Sequence, residues 1–250
     1  MGCCASSKVQ DVGDLRDVEC LQRTPAAARE ASAVLGRSFA GTETTPPELA
    51  FEWCSGGKWE SPARGREALA WIMRYLVEES FAAGRKGAIV ACRGAGGEVV
   101  GVMCLMIYRG KPVDGPCLFP AAFARTGFPK GEAATYTNTD KNQRLAALTK
   151  ASERLHKAHA PGPHVYVRAV AVDPGSQGRG VGGKLMRAAV AIADRERLPC
   201  FLETCGPRNP DIYARYGFAV AGREEMRTKA GDACEHPYIG MVRPAAVTQA

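Results

Sequence analysis

Val172–Leu185 reads VDPGSQGRGVGGKL, and the class of fold turns on how its glycines are taken. Three phosphate-binding patterns meet there. As a P-loop, Gly178 to Leu185 runs G-x-x-x-x-G-K-L, where the last place must carry a hydroxyl for magnesium and leucine has none. As a dinucleotide fingerprint, Gly178, Gly180 and Gly183 satisfy G-x-G-x-x-G, and Glu203 falls about where an acidic residue would hold a ribose hydroxyl. That fingerprint needs its first glycine in the turn directly after a strand, however, and DPGSQ intervenes after Val172. In a third pattern Gln177 joins the signal as Q-x-x-G-x-G.

The flanking sequence supports a strand, a turn and a helix. HVYVRAVAV, 164–172, is apolar on both faces, as in strands inside a sheet. Val181, Leu185, Ala189 and Ile192 repeat at helical spacing. A strand running into a glycine-rich turn and then a helix aims several backbone N–H groups and the positive end of the helix dipole at one spot, where a diphosphate fits. Gly178, Gly180 and Gly182 remove side chains that would block the approach, and Arg179 can add a cationic contact.

Further out, Thr24 caps and Pro25 starts a first helix, and Ser61 caps and Pro62 starts a second that Gly84 ends. VECLQR, 18–23, reads as a short strand, and residues 40–60 as a loop. GAIVACRG and EVVGVMCLMIYRG read as a hairpin turning at AGG. Residues 109–138 lack a sustained period and read as a long ordered loop or insertion. A helix is expected over 140–158. LPCFLETC is a buried strand, NPDIYARYG a short helix, and FAVAGREEMR and PYIGMVRP are closing strands.

On two spaced motifs in order, YVRAVAVDPGSQGRGVGGKLM and LPCFLET followed by RNPDIYARYGF, the chain resembles the GNAT superfamily of acetyl-CoA-dependent N-acetyltransferases. The likeness is strong over roughly 164–220 and holds by pattern over 61–108. It implies an α/β fold: a mixed, mostly antiparallel central sheet flanked by helices and splayed between its two central parallel strands. It also implies one catalytic domain over 17–245, with an insertion at about 109–163. The acetyl donor would be acetyl-CoA, with a primary amine attacking directly in a ternary complex. The edge Val170, Ala171 and Val172 would pair with the pantetheine arm like an added strand. Gln177, Gly178, Arg179, Gly180, Val181 and Gly182 would take the diphosphate, and Asn209 the cofactor arm. Tyr213 matches the tyrosine that protonates the departing thiolate. The central strand lacks the glutamate many members keep, which leaves Glu203 as the candidate base.

Composition adds bounds. Lys and Arg outnumber Asp and Glu 33 to 26 but are scattered, so no nucleic-acid partner is expected. Ten cysteines occur without a CxxC pair, and Cys92, Cys104 and Cys200 sit in apolar runs, which suits a reducing compartment. His156 and His159 stand i,i+3 near His164, yet a third ligand is not evident and no metal is expected. His164 and Tyr166 are placed in the acceptor pocket. Val99–Tyr108, the longest apolar run, is far shorter than the roughly 20 residues of a spanning helix. The opening MGCCASSK fits myristoylation at Gly2 with palmitoylation at Cys3 and Cys4. The first 16 residues then read as a disordered tail tethering a peripheral protein to the cytosolic face of a membrane. A dinucleotide-binding protein and a lipid-anchored adaptor with the same fold but no catalysis are the alternatives.

Overall fold

The computed structural model describes residues 18–56, 61–110, 118–131 and 140–246. Gly2, Cys3, Cys4 and the rest of the N-terminal tail lie outside the described residues. Seven strands form one sheet in the order β1-β2-β3-β4-β5-β7-β6. They are β1 (Glu19–Cys20), β2 (Gly87–Arg93), β3 (Val99–Tyr108), β4 (His164–Val172), β5 (Cys200–Cys205), β6 (Ala219–Glu224) and β7 (Tyr238–Arg243). Every neighbouring pair is antiparallel except β4 and β5. That parallel seam is short: Val165, Tyr166 and Val167 pair with Cys200, Phe201 and Leu202, and beyond them the strands part.

β4 is apolar on both faces because helices bury both, and it carries a bulge. Val167 pairs with Leu105 and Ala169 with Cys104, leaving Arg168 as the extra residue. The inserted residue reverses the side-chain alternation. Val165 and Val167 join the core on one face of the sheet, whereas Ala169 and Ala171 join the core on the other.

Helices cover both faces. α1 (Pro25–Ala40) and α3 (Pro62–Ala82) begin as their sequences predict, with the Thr24 and Ser61 hydroxyls accepting from the Ala27 and Arg64 amides. They pack on each other and bury Leu35, Leu69 and Met73. α3 stops at Ala82, and Gly84, the glycine expected to end it, follows the Ala83 cap with a left-handed φ of 61° and opens a 3-10 turn into β2. α5 (Asp140–His159) lies on β6 and β7. α6 (Val181–Glu196) covers the opposite face through Leu185, Met186, Ala189 and Ile192.

Two expected loops contain helices. α2 (Leu49–Cys54) lies within 40–60, capped by the Glu48 carboxylate, which accepts from the Phe51 amide at 2.9 Å. α4 (Leu118–Thr126) lies within 109–138 and docks on α3, where the Trp71 indole donates to the Gly127 carbonyl at 2.7 Å. Short helices escape periodicity, which needs several turns to register, and the cap of α2 is an uncommon one. α7 (Asn209–Ala214) follows β5.

Candidate active site

Where β4 and β5 part, a cleft of about 1200 Å³ opens between Val167–Val170 on one wall and Leu202–Gly206 on the other. Strand backbone that would bond a neighbour in an unbroken sheet faces this space. α3 and α5 close it from one side, the loop before α2 from another, and Tyr213 of α7 from the β5 end.

The glycine turn lies just past the cleft, at the C-terminal end of β4. Asp173 closes the first bend by accepting from the Gly175 amide at 3.2 Å, and Arg37 of α1 braces it at 2.7 Å. The Gln177 side chain donates to the Val172 carbonyl at 3.3 Å, closing the turn from below. Gly178 and Gly180 have φ of 74° and 79°, and a side chain on either would meet open space. Their glycine is needed for backbone conformation, not for want of room. Gly180 caps α6 with no side chain on the helix amides, and the first turn holds no acidic residue. The free N–H groups and positive dipole end are the anion-binding arrangement the sequence suggested.

Glu203 projects from β5 into the cleft, where Ser152 of α5 donates to its Oε1 at 2.8 Å and Tyr166 of β4 also hydrogen-bonds it. Desolvation pushes its carboxyl up to about 7 against the pull of these donors and of Arg168. The Arg168 charge is matched in turn by Glu79 of α3, an ion pair with little exposure on either side. Burial holds the Tyr166 phenol well above its ordinary value. Across the cleft Glu48 is likewise pushed up to about 7 by desolvation, in spite of the Phe51 amide.

Tyr213 lies beside Thr204, and burial first, then Glu48, push its phenol up to about 12. Asn209 does not cap α7, whose N-cap is Arg208; its amide donates to the Thr204 hydroxyl at 2.8 Å and to the Cys205 carbonyl at 2.7 Å. Asn209, Thr204 and Tyr213 thus form one polar row at the end of β5.

The histidines separate. His156 lines the cleft and its Nε2 meets that of His164 at 2.7 Å, while His159 packs against Gly222. His164 is buried, holds the Gly162 carbonyl at 2.7 Å, and belongs to a small recess of about 100 Å³ behind the cleft, not to the acceptor side where the sequence reading put it. Tyr166 does line the cleft. Among the described residues, no group of three or more His, Cys, Asp or Glu side chains is placed to hold a metal. Sequence reasoning missed Ser152, Glu79 and Thr204, which meet their partners through the fold, and Glu48, an uncommon cap.

The two rival readings of the glycine turn fail on this geometry. Leu185 is fully buried in the core, far from the hydroxyl role a P-loop requires. A dinucleotide fold has a mostly parallel sheet, and this one has a single parallel pair.

The profile of the Acetyltransferase (GNAT) family matches residues 52–218. The chain belongs to the GNAT acetyltransferase family. Solved structures agree on the fold. One of a histone acetyltransferase HPA2 and related acetyltransferase from Corynebacterium glutamicum superposes with a TM-score of 0.57 at 21% identity, covering 94% of this chain and 99% of that one. The C-terminal condensation domain of Ebony, in complex with beta-alanyl-dopamine, gives 0.56 at 11% identity over 90% and 98%. Arylalkylamine N-acetyltransferase 2 from Aedes aegypti gives 0.54 at 12% identity over 90% and 97%. Family membership makes the chain an acyltransferase, and the splayed sheet is the one the GNAT resemblance implied. Among the described residues, no helix is long and apolar enough to cross a membrane.

Proposed function

We propose that this GNAT protein transfers the acetyl group of acetyl-CoA to a primary amine by direct attack within a ternary complex. The observation that carries the reading is the parting of β4 and β5, which puts Glu203 and Tyr213 on one cleft beside an uncapped helix N-terminus. Acetyl-CoA supplies an activated thioester, and the protein's residues do the rest.

The amides of the turn from Gly178 to Gly182 suit a diphosphate, with Arg179 at hand as a cation, and the free edge at Val170, Ala171 and Val172 suits an amide-bearing arm. Glu203, with a pKa near neutrality, accepts a proton from the acceptor ammonium, directly or through water, and Ser152 and Tyr166 hold its carboxylate in place. Tyr213 gives a proton to the departing thiolate. The Asn209 amide occupies Thr204 as a donor, which directs the threonine hydroxyl toward Tyr213 and leaves the phenol proton for the cleft. A phenol held near 12 stays protonated at neutral pH, and a thiolate of pKa about 8.5 takes its proton only when the two are held together.

Thermal shift with acetyl-CoA, NAD and ATP side by side, followed by acetyl transfer across an amine panel, tests the reading. Stabilisation by acetyl-CoA alone together with turnover is expected. Binding without turnover would assign the adaptor role, and stabilisation by NAD would reject the donor assignment. The Gly2-Cys3-Cys4 start supports acylation and attachment to a cytosolic membrane face as an adjunct of this reading. Membrane association unaffected by Gly2→Ala would remove that adjunct.

A further inference from the structure

The cleft opens on the face of the sheet away from α6. That helix, whose N-terminus suits the diphosphate, packs Leu185 and Met186 on one core, whereas α3 and α5 pack Leu69, Met73 and Leu148 on the other. The space between α3 and α5 is thus left for the acceptor, and its lining is graded. Along α3, Trp71, Tyr75 and Glu79 face the cleft at four-residue intervals, and Leu145, Leu148 and Ser152 do so along α5 at intervals of three and four. Each stripe runs from apolar to polar and ends beside Glu203: Ser152 donates to its Oε1 at 2.8 Å, and Glu79 pairs with Arg168. Tyr75 and Leu148 each stand one helical turn, about 6 Å, before that polar end.

The lining carries two aromatic pairs. Trp71 stacks on Tyr75 with ring centroids 5.5 Å apart, and Phe39 meets Phe51 edge-on at 5.4 Å. Phe39, Phe51 and Trp71 are half-buried, packed on the core and facing the cleft. Charge completes the chamber. Glu48, Glu79 and Glu203 line it, and the Arg168 guanidinium is matched by Glu79. Arg208, the other lining arginine, is exposed beyond β5. The polar end therefore suits an ammonium, whereas a carboxylate beside that ammonium would face Glu203 and compete with Glu79 for Arg168.

We infer, resting on the acetyl-transfer reading above, that the acceptor is an apolar primary amine: an ammonium on a short arm that ends in an aromatic ring, with no carboxylate beside it. The ammonium lies at Glu203, and the ring lies one turn out between Tyr75 and Leu148, where it covers apolar surface that water otherwise wets. Glu203 takes one proton from the ammonium. The nitrogen then bonds the acetyl carbon as the C–S bond breaks, and the thiolate takes the Tyr213 proton, which the second proton lost by nitrogen replaces. The products are the acetamide, coenzyme A and one proton. A lysine side chain would set its peptide backbone at the level of the ring, against Leu145, Leu148 and Trp71, which leave its amides unpaired.

The test measures kcat/KM of the full-length chain at saturating acetyl-CoA for ethylamine, 2-phenylethylamine, phenylalanine, putrescine and a lysine-bearing peptide. Burial of the ring should raise kcat/KM about 10–100-fold from ethylamine to 2-phenylethylamine. Phenylalanine, which adds only a carboxylate, should lose that gain. In Tyr75→Ser the ratio of 2-phenylethylamine to ethylamine should fall toward one, and because both amines are read on the same protein, a loss of folded material leaves the ratio untouched. A wild-type ratio near one, a ratio unmoved by Tyr75→Ser, or a preference for putrescine or the peptide would overturn the inference and leave acetyl transfer standing. Turnover of none of these amines would instead reject the transfer reading. Isothermal titration then judges the chamber: tighter binding of 2-phenylethylamine than of ethylamine upholds it, and equal binding overturns it.

Discussion

At the scale of single residues, the turn offers a substitution that separates binding from folding. Gly180 has a left-handed backbone, so any side chain there brings strain, whereas Gly182 does not, and a Cβ on it lies 3.6 Å from Val172, an ordinary contact. A glutamate at 182 sits in the first turn of α6, where the helix dipole favours it by about 0.3–1 kcal/mol. The same charge repels a diphosphate. Gly182→Glu should keep or slightly raise the melting temperature of the free protein while abolishing stabilisation by acetyl-CoA in a thermal-shift titration. Retained stabilisation would place the diphosphate elsewhere. Glu203 gives the second residue-scale test. Its raised pKa means the base form is lost as pH falls through about 7, so kcat/KM should decline along that limb. Glu203→Gln should lower kcat by roughly 10²–10⁴-fold and remove the limb near 7. Persistence of the limb would move the base to Glu48, the other cleft carboxyl raised to about 7. Tyr213→Phe should reduce kcat by about 10²-fold or more with KM for acetyl-CoA little changed, read by steady-state kinetics. An unchanged kcat would return Tyr213 to a packing role.

Among the elements, α6 and β3 meet at Gly101, where a Cβ would lie 2.5 Å from Val181 and 3.3 Å from Leu185. The absent side chain lets the first turn of the helix sit on the strand, and so fixes where its N-terminal amides point. Gly101→Ala should force a shift costing about 1–3 kcal/mol, a fall of roughly 2–4 °C per kcal/mol in a chain of this size. Acetyl-CoA affinity should fall with it, because the moved turn carries the binding amides; isothermal titration checks this. The elements legible in sequence were those with local punctuation: Thr24-Pro25 and Ser61-Pro62 open α1 and α3, and β4 was delimited to the residue. Gln177 to Gly180 was legible as a turn into a helix because positive φ and a helix start demand particular residues. The bulge at Arg168 was not, since a strand apolar on both faces hides which face each residue takes. Nor was the grouping of Glu203 with Ser152, residues 51 apart in sequence, or α2, whose cap is the uncommon Glu48. The Glu203–Ser152 contact arises from packing α5 against the sheet, which chain-local chemistry does not encode.

Considered as a whole, the molecule is one sheet whose two parts, β1–β4 and β5–β7, are joined by three residue pairs and by helices laid across the seam. The price of the opening is desolvated carboxyl groups in the cleft. Glu48 and Glu203 both have folded pKa values near 7, against about 4.5 for an ordinary glutamate. A carboxyl raised by folding binds more protons in the native state, so its contribution is fully present below about 4.5 and is lost as pH rises through about 7. Each shift corresponds to up to about 3 kcal/mol, before a discount for the partial opening of the cleft to solvent. His164 works in the opposite sense: burial lowers its pKa, so its contribution is gained as pH rises through the ordinary histidine range. Two raised carboxyls outweigh one histidine. The melting temperature of the free protein should therefore fall by several degrees between about pH 5 and pH 8, followed by differential scanning fluorimetry in buffers of matched ionic strength. In the double variant Glu48→Gln with Glu203→Gln the slope should vanish or reverse, leaving the histidine's sign. A wild type that grows more stable across that range would mean the cleft solvates these carboxylates freely, and would remove the neutral-pH base from the mechanism.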